Sequence, residues 1–145
     1  MNVLMVCLGN ICRSPMAEFM LRDAASKQRM PIQVESAGIN AEVGNPATRE
    51  ARQVMDERGI DADDHVARQL TEEMLRAADL VLVATESIRR RVIAYPGADA
   101  ARVHLMLETR DLADPWGLSL TEYRETAWEL DDMVERVLKL VGSSE

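Results

Sequence analysis

Residues 3–15 read VLMVCLGNICRSP, and three kinds of local structure follow one another in this stretch. Residues 3–6 are a continuous apolar run, which is typical of a short strand buried on both faces. A tight loop occupies residues 7–14, and Pro15 suits the first turn of a helix. Apolar side chains then recur at helical spacing, at Met16, Phe19, Met20 and Ala24. The stretch therefore predicts a strand, a loop and a helix in direct succession.

Strands and helices alternate along the rest of the chain. Further strands are predicted over residues 33–37, 80–84 and 103–107. Further helices are predicted over residues 47–58, 71–78, 86–94 and 121–141, with Thr71 as a cap for the second of these. The final helix carries its apolar residues on one face, which favours packing on the core over binding a partner: Ala127, Leu130, Val134, Val137, Leu138 and Val141. The alternation predicts one α/β domain, residues 1–145, with a parallel sheet whose carboxyl edge binds ligands.

Composition excludes several classes of function. The net charge is −8, and no basic stripe offsets it, so nucleic acids and anionic membrane surfaces are not expected partners. No apolar run is long enough to span a membrane, and the N-terminus lacks the features of a secretory signal, which predicts a cytoplasmic protein. Two cysteines and two histidines predict neither a disulfide framework nor a metal site.

The loop combines several features that bind anions. Cys7 and Arg13 are separated by five residues, and Gly9 between them tolerates unusual backbone dihedral angles. Backbone N–H groups in such a loop can converge into an anion-binding nest, and the following helix points its positive N-terminus at the same place. The guanidinium of Arg13 adds a planar fork of donors that matches two phosphate oxygens. The loop therefore predicts a cradle for a phosphate group.

The same positive field favours the thiolate form of Cys7 over the thiol. A lone buried cysteine at a strand end is more often a small apolar residue, but a thiolate in a phosphate cradle is an activated nucleophile. Ser14 either donates a hydrogen bond to that thiolate, or caps the helix, or does both. Cys12 either packs beneath the loop or forms a reversible disulfide that shields Cys7 from over-oxidation.

Residues 6–18, VCLGNICRSPMAE, resemble the signature of the low-molecular-weight protein tyrosine phosphatases. The similarity covers essentially the whole chain, through residues 35–38, 44–46, 59–61, 65–70, 78–82 and 114–115. The resemblance implies a three-layer α/β fold in which a four-stranded parallel sheet has helices on both faces. It also implies hydrolysis of a phosphate ester without a metal or any other cofactor.

The resemblance assigns roles to individual residues. Cys7 would be the nucleophile that forms a phosphocysteine intermediate, Arg13 the phosphate clamp, and Asp114 the general acid and base. Asn10, Ser36 and His65 would hold the loop in shape by hydrogen bonds, although a turn asparagine, a strand-end serine and an interior histidine are the simpler local interpretations. Asp-Pro in a loop is usually a turn former, but a loop carboxyl can protonate a leaving oxygen and then activate water. The remaining phosphate- and substrate-binding residues would be Leu8, Gly9, Asn10, Ile11, Cys12, Ser14 and Trp116.

The chain departs from the family pattern in three places. Trp116 is followed by Gly117, where the family usually has a pair of aromatic residues. Ala41 stands where many members carry an aromatic pocket wall, and residues 83–86 read VATE in place of the usual Met-Asp or Met-Glu. The first two departures predict a more open pocket, walled chiefly by Trp116, Leu8 and Ile11.

Three alternative functions remain to be compared. A related branch of the family removes phosphate from arginine and carries threonine at the position of Ile11. We favour phosphotyrosine because an apolar, β-branched wall suits a phenyl ring better than a guanidinium. Arsenate reductases of this fold pass oxidation to downstream cysteines, and no cysteine follows Cys12. A phosphate-binding module without catalysis would not need the nucleophile, the clamp and the acid together.

The resemblance also suggests the kind of partner. The substrate would be a phosphotyrosine-bearing protein, for example one of the autophosphorylating tyrosine kinases of bacterial polysaccharide export. The family pattern is compatible with a monomer or a weak dimer.

Overall fold

The structure is a computed structural model and describes residues 1–143. Its strands are β1 (Asn2–Cys7), β2 (Gln33–Gly38), β3 (Leu80–Val83) and β4 (Val103–Leu105). Its α-helices are α1 (Arg13–Lys27), α2 (Arg49–Glu57), α3 (Glu72–Ala77), α4 (Glu86–Ile93) and α5 (Leu120–Ser143). A single turn of 3-10 helix at residues 100–102 precedes β4. Among the described residues, no helix is long and apolar enough to cross a membrane.

The four strands form one sheet in the order β2-β1-β3-β4, and every neighbouring pair is parallel. The chain moves outward from β1 to β2 and then returns across β1 to β3 and β4. Since crossovers between parallel strands are right-handed, this reversal places α1 and α4 on opposite faces of the sheet. Helix α5 packs against α1 and α2, while α4 packs against β3 and β4. The predicted three-layer α/β fold is confirmed, and the loop after β1 lies where the strand order reverses.

The central strands are buried along almost their whole length, as their continuous apolar sequence predicts. The apolar face of α5 completes the core on one side of the sheet. Of its predicted core residues, Leu138 is partly buried and the others are buried: Ala127, Leu130, Val134, Val137 and Val141. The prediction that this face packs on the core is therefore confirmed.

Element boundaries differ from the predictions by a few residues. The predicted fourth strand ran to residue 107, but β4 ends at Leu105, because the N–H of Glu108 bonds to the carbonyl of Leu105 and closes a turn. The helix predicted from residue 47 begins at Arg49, because the side chain of Thr48 caps it by accepting from the N–H of Ala51. Strand β3 ends at residue 83 instead of 84, and α5 spans 120–143 instead of 121–141.

The end of β2 lies directly against the backbone of the loop after β1. Gly38 pairs with Cys7 in the sheet. A Cβ atom at Gly38 would lie 2.5 Å from the carbonyl oxygen of Leu8 and 3.0 Å from the backbone nitrogen of Asn10. Both neighbours are backbone atoms, which cannot rotate away as a flexible side chain can. The loop can keep its shape only if residue 38 has no side chain.

We predict that Gly38→Ala destabilises the protein by about 1–3 kcal/mol, the usual cost of overpacking, and displaces the loop. The measurement is the free energy of unfolding in urea. Gly142→Ala is the matched control, because its Cβ would lie 3.6 Å from the flexible side chain of Met30. That control lies in α5 and should gain about 0.5–1 kcal/mol from helix propensity. If the two variants are equally stable, the close approach at Gly38 does not prevent a side chain at that position.

Candidate active site

The loop between β1 and α1 directs its carbonyl oxygens away from the space that it encloses. Each carbonyl from residue 7 to residue 12 accepts a hydrogen bond. In chain order, the donors to these six carbonyls are Ile39 N (3.1 Å), Asn40 N (2.9 Å), Glu42 N (3.0 Å), His65 Nε2 (2.7 Å), Thr48 N (2.9 Å) and Met16 N (3.1 Å). Within residues 1–143, no N–H group of residues 8–12 donates to a protein acceptor. With the carbonyls held outward, these N–H groups form an anion-binding nest.

Asn10 sets the shape of the loop. Its φ of 59° lies in the left-handed region, which asparagine tolerates better than most residues. Its side-chain oxygen accepts from the N–H of Arg68 at 2.9 Å. Since a backbone N–H can only donate, this contact fixes the amide orientation and turns the NH₂ group towards Ser14 Oγ (2.8 Å) and Ser36 Oγ (2.9 Å). Asn10 is thus both a turn residue and the centre of a buried network.

This network gives the hydroxyl of Ser14 a direction. The Oγ atom accepts from Asn10, so its own proton is free to point at Cys7 Sγ, which lies 2.9 Å away. The hydroxyl of Ser36 donates in the opposite direction, to Glu18 Oε1 at 2.5 Å. The hydroxyl of Ser14 is therefore oriented to donate to the sulfur of Cys7. The alternative prediction that Ser14 caps the helix is wrong, because Cys12 occupies the N-cap position of α1.

Glu18 and His65 complete the buried network beneath the loop. His65 Nε2 donates to the carbonyl of Asn10, and its Nδ1 lies 4.0 Å from Glu18 Oε1. Glu18 also accepts from Arg22, so its buried carboxylate is neutralised and hydrogen-bonded. The sequence predictions omitted Glu18. Its position in the sequence could have indicated this role, because Glu18 is an acidic residue on the buried face of α1, four residues after Ser14.

Arg13 joins the loop to the segment that carries Asp114. The guanidinium of Arg13 is buried, and its Nη1 donates to the carbonyl of Leu112 at 2.9 Å. Its Nη2 lies 3.7 Å from Asp114 Oδ2. The other carboxylate oxygen of Asp114 accepts from the N–H of Trp116 at 3.1 Å. Asp114 is therefore a turn residue, as its local sequence indicates, and it also presents a half-exposed carboxylate beside the nest.

One cleft contains most of the predicted site residues. It is lined by Cys7, Leu8, Gly9, Ile11, Cys12, Arg13, Asn40, Glu42, Asp114 and Trp116. Ile11 is almost buried, while Trp116 and Leu8 form an exposed apolar rim. Asn40 and Glu42, on either side of Ala41, line the cleft, and the equivalence of Ala41 to the aromatic wall of other members stays a prediction. Within residues 1–143, no group of three or more His, Cys, Asp and Glu side chains is arranged to hold a metal ion.

Comparison with known proteins identifies the family. The family described as "Low molecular weight phosphotyrosine protein phosphatase" matches residues 2–144. The chain belongs to this family. A probable low molecular weight protein-tyrosine-phosphatase of Erwinia amylovora, AmsI, is 45% identical over 138 residues, which cover 93% of each chain. Membership confirms the predicted family and the predicted enzyme class, a phosphatase.

Proteins named as arginine phosphatases are also similar to the chain. A protein-arginine-phosphatase of Bacillus subtilis is 34% identical over 144 residues, which cover 96% of this chain and 95% of that protein. The solved structure of the YwlE arginine phosphatase is of a cysteine-to-serine mutant with a phosphorylated active-site serine. It matches with a TM-score of 0.93 at 32% identity, over 98% of this chain and 96% of that chain. Family membership therefore leaves the substrate residue open between tyrosine and arginine.

Cys12 packs beneath the loop and is a free thiol, as is Cys7. Its sulfur lies 3.3 Å from the hydroxyl of Tyr123 and 3.8 Å from that of Thr48. Burial raises the pKa of Cys12 from its ordinary value of 9.0 to about 11, against the opposing effect of these two hydrogen bonds. At neutral pH Cys12 is therefore a protonated thiol. A disulfide with Cys7 stays a prediction.

The raised pKa of Cys12 predicts a loss of stability in alkaline solution. The folded protein holds the thiol proton more tightly than the unfolded chain does, so this stability is complete below about pH 9 and is lost as the pH rises towards 11. The total is about 3 kcal/mol for a shift of this size. The measurement compares urea unfolding of the parent and of Cys12→Ser between pH 8 and pH 11. If the two lose stability in parallel, the ionisation of Cys12 does not contribute.

Proposed function

We propose that the protein hydrolyses phosphotyrosine in other proteins through a phosphocysteine intermediate on Cys7. The observation that supports this most is the convergence of three groups on one cleft. A hydrogen-bonded cysteine sulfur lies at its base, a buried guanidinium at its side, and a half-exposed carboxylate at its mouth. Residues 1–145 would act as a single phosphatase domain.

In the first step the thiolate of Cys7 attacks the phosphorus atom, and the bond from phosphorus to the phenolic oxygen breaks. Negative charge on the phosphoryl oxygens is stabilised by the N–H groups of the loop and by Arg13. Phenoxide is a poor leaving group, so Asp114 protonates its oxygen as the bond breaks. Tyrosine leaves, and the phosphoryl group remains on sulfur.

In the second step the carboxylate of Asp114 takes a proton from water, which attacks phosphorus. The bond from phosphorus to sulfur breaks, and inorganic phosphate leaves. The thiolate of Cys7 is regenerated and receives the hydrogen bond of Ser14, which lowers the cost of expelling it. A relative whose active-site serine is found phosphorylated supports a covalent intermediate at the equivalent position.

The walls of the cleft favour phosphotyrosine over phosphoarginine. Ile11 lines the cleft with a largely buried apolar side chain, and Leu8 and Trp116 add exposed apolar surface to it. An aromatic ring gains from burial against such a wall, whereas a guanidinium in contact with the same apolar side chains loses hydration. The arsenate reductase alternative lacks support, because no cysteine follows Cys12 to continue a thiol cascade.

The partner that fits this proposal is a phosphotyrosine-bearing protein, with the bacterial tyrosine kinases as the first group to test. Cytoplasmic location and a monomeric or weakly dimeric state remain part of the proposal. The net charge of −8 supports the exclusion of nucleic acids and anionic membrane surfaces as partners.

Replacement of Asp114 tests its proposed role as the general acid. Asp114→Asn should lower kcat for a phosphotyrosine peptide by about 10²–10⁴, the usual contribution of general acid–base catalysis. The loss should be smaller for p-nitrophenyl phosphate, whose leaving group depends less on protonation. Cys7→Ser, which removes the nucleophile, should abolish turnover of both substrates. Equal losses for the two substrates in Asp114→Asn would argue against proton donation to the leaving group.

The substrate residue is tested by phosphate release from a phosphotyrosine peptide and a phosphoarginine peptide of otherwise identical sequence, without added metal. We expect the phosphotyrosine peptide to be hydrolysed faster. Ile11→Thr should shift the ratio of the two kcat/KM values towards phosphoarginine by about tenfold. Faster release from phosphoarginine by the parent would keep the cysteine mechanism and contradict the interpretation of the apolar wall.

A further inference from the structure

Glu42 is an acidic residue in the wall of a cleft that binds an anion. It lines the cleft together with Cys7, Arg13 and Asp114. No catalytic step above uses it, and phosphate in the cleft would repel its carboxylate. An acidic wall in a phosphate site weakens binding of the phosphate itself, so its benefit must come from another part of the substrate.

The backbone of Glu42 is fixed against the loop. Its N–H donates to the carbonyl of Gly9 at 3.0 Å, and its own carbonyl accepts from the N–H of Asn45 at 3.1 Å. The preceding N–H, that of Ala41, donates to Gln69 Oε1 at 2.9 Å. Both peptide groups of Glu42 are therefore held by hydrogen bonds. The backbone position from which its side chain extends is fixed relative to the loop.

The side chain of Glu42 extends over the loop towards the mouth of the cleft. A Cβ atom placed on Gly9 would lie 3.7 Å from Glu42 Oε2, so the carboxylate lies close to the backbone of the phosphate-binding loop. Within residues 1–143, Glu42 takes part in no ion pair, whereas Glu35 and Glu57 each have an arginine partner. The carboxylate is available to a cation supplied from outside.

The charges of the cleft do not balance when substrate binds. Arg13 is the cation among the lining residues, and it already faces Asp114 at 3.7 Å. A bound phosphate group would accept hydrogen bonds from the remaining N–H donors of Arg13. Glu42 would then have no partner of positive charge among the lining residues. A lysine or arginine next to the phosphorylated residue would supply that charge, and an acidic neighbour would be repelled.

We propose that Glu42 determines specificity by selecting phosphotyrosine sites with a lysine or arginine beside the phosphorylated residue. This inference rests on the proposed function, because it concerns the protein substrate of the same cleft. The ion pair would form at the exposed rim, where such pairs contribute modestly and are screened by salt.

The test compares two phosphotyrosine peptides that differ only in the residues flanking tyrosine, arginine in one and glutamate in the other. The readout is the ratio of their kcat/KM values for one enzyme, which cancels any general effect of a substitution on catalysis. The parent should prefer the arginine peptide, and Glu42→Gln should lower this preference about threefold. At about 1 M salt, where the screening length is about 3 Å, the difference between parent and variant should disappear.

Glu73→Gln is the matched control, because Glu73 is an exposed glutamate of α3 that does not line the cleft. Its ratio should equal that of the parent. An unchanged ratio in Glu42→Gln, or a parent that prefers the glutamate peptide, would overturn the inference and leave the phosphatase function intact. If the parent hydrolyses p-nitrophenyl phosphate and neither peptide, the proposed phosphotyrosine function fails, and the inference fails with it.

Discussion

The outward orientation of six successive carbonyls, from Cys7 to Cys12, is the constraint on which the site depends. A phosphate group cannot approach a loop whose carbonyl oxygens point inward, because like partial charges would repel each other. Holding every carbonyl outward leaves the N–H groups as the inner surface. The rest of the fold supplies the donors that enforce this orientation. Five of the six donors come from segments far away in the sequence. Only Met16 lies in α1, the helix that directly follows the loop.

A buried polar network orients the side chains beneath the loop. Asn10 links Ser14 and Ser36, and the chain of hydrogen bonds ends at the carboxylate of Glu18. Burying this carboxylate would be costly if it were unpaired, but Arg22 neutralises it. Because the amide of Asn10 has one permitted orientation, every hydroxyl proton in the network has one direction. The hydrogen bond between Ser14 and Cys7 is thus oriented by the side chains of Asn10 and Ser36.

Local sequence patterns predicted the elements but not the network. The apolar run, the loop and Pro15 predicted β1 and α1, because burial on both faces and helix entry leave strong local signals. Boundaries such as the end of β4 depend on single turn hydrogen bonds, which sequence periodicity does not contain. The roles of Ser36 and His65 came only from the family resemblance, since nothing local tells a strand-end serine that supports a loop from one that does not. Asn40 and Glu42 were missed because a shift of one residue exchanges the side chain that faces the cleft.

In the proposed mechanism, Arg13 couples phosphate recognition to the placement of the acid. Its guanidinium holds the carbonyl of Leu112, and the N–H of Leu112 is in turn bonded to the carbonyl of Ala84 at the end of β3. The segment that carries Asp114 is therefore anchored at Leu112 both to the sheet and to the phosphate clamp. An acid anchored only by its own loop would sample positions too far from the leaving oxygen, and proton transfer needs hydrogen-bond distance. Under the proposed mechanism, the residue that binds the phosphate charge of the substrate would thereby also keep the proton donor within reach of the leaving oxygen.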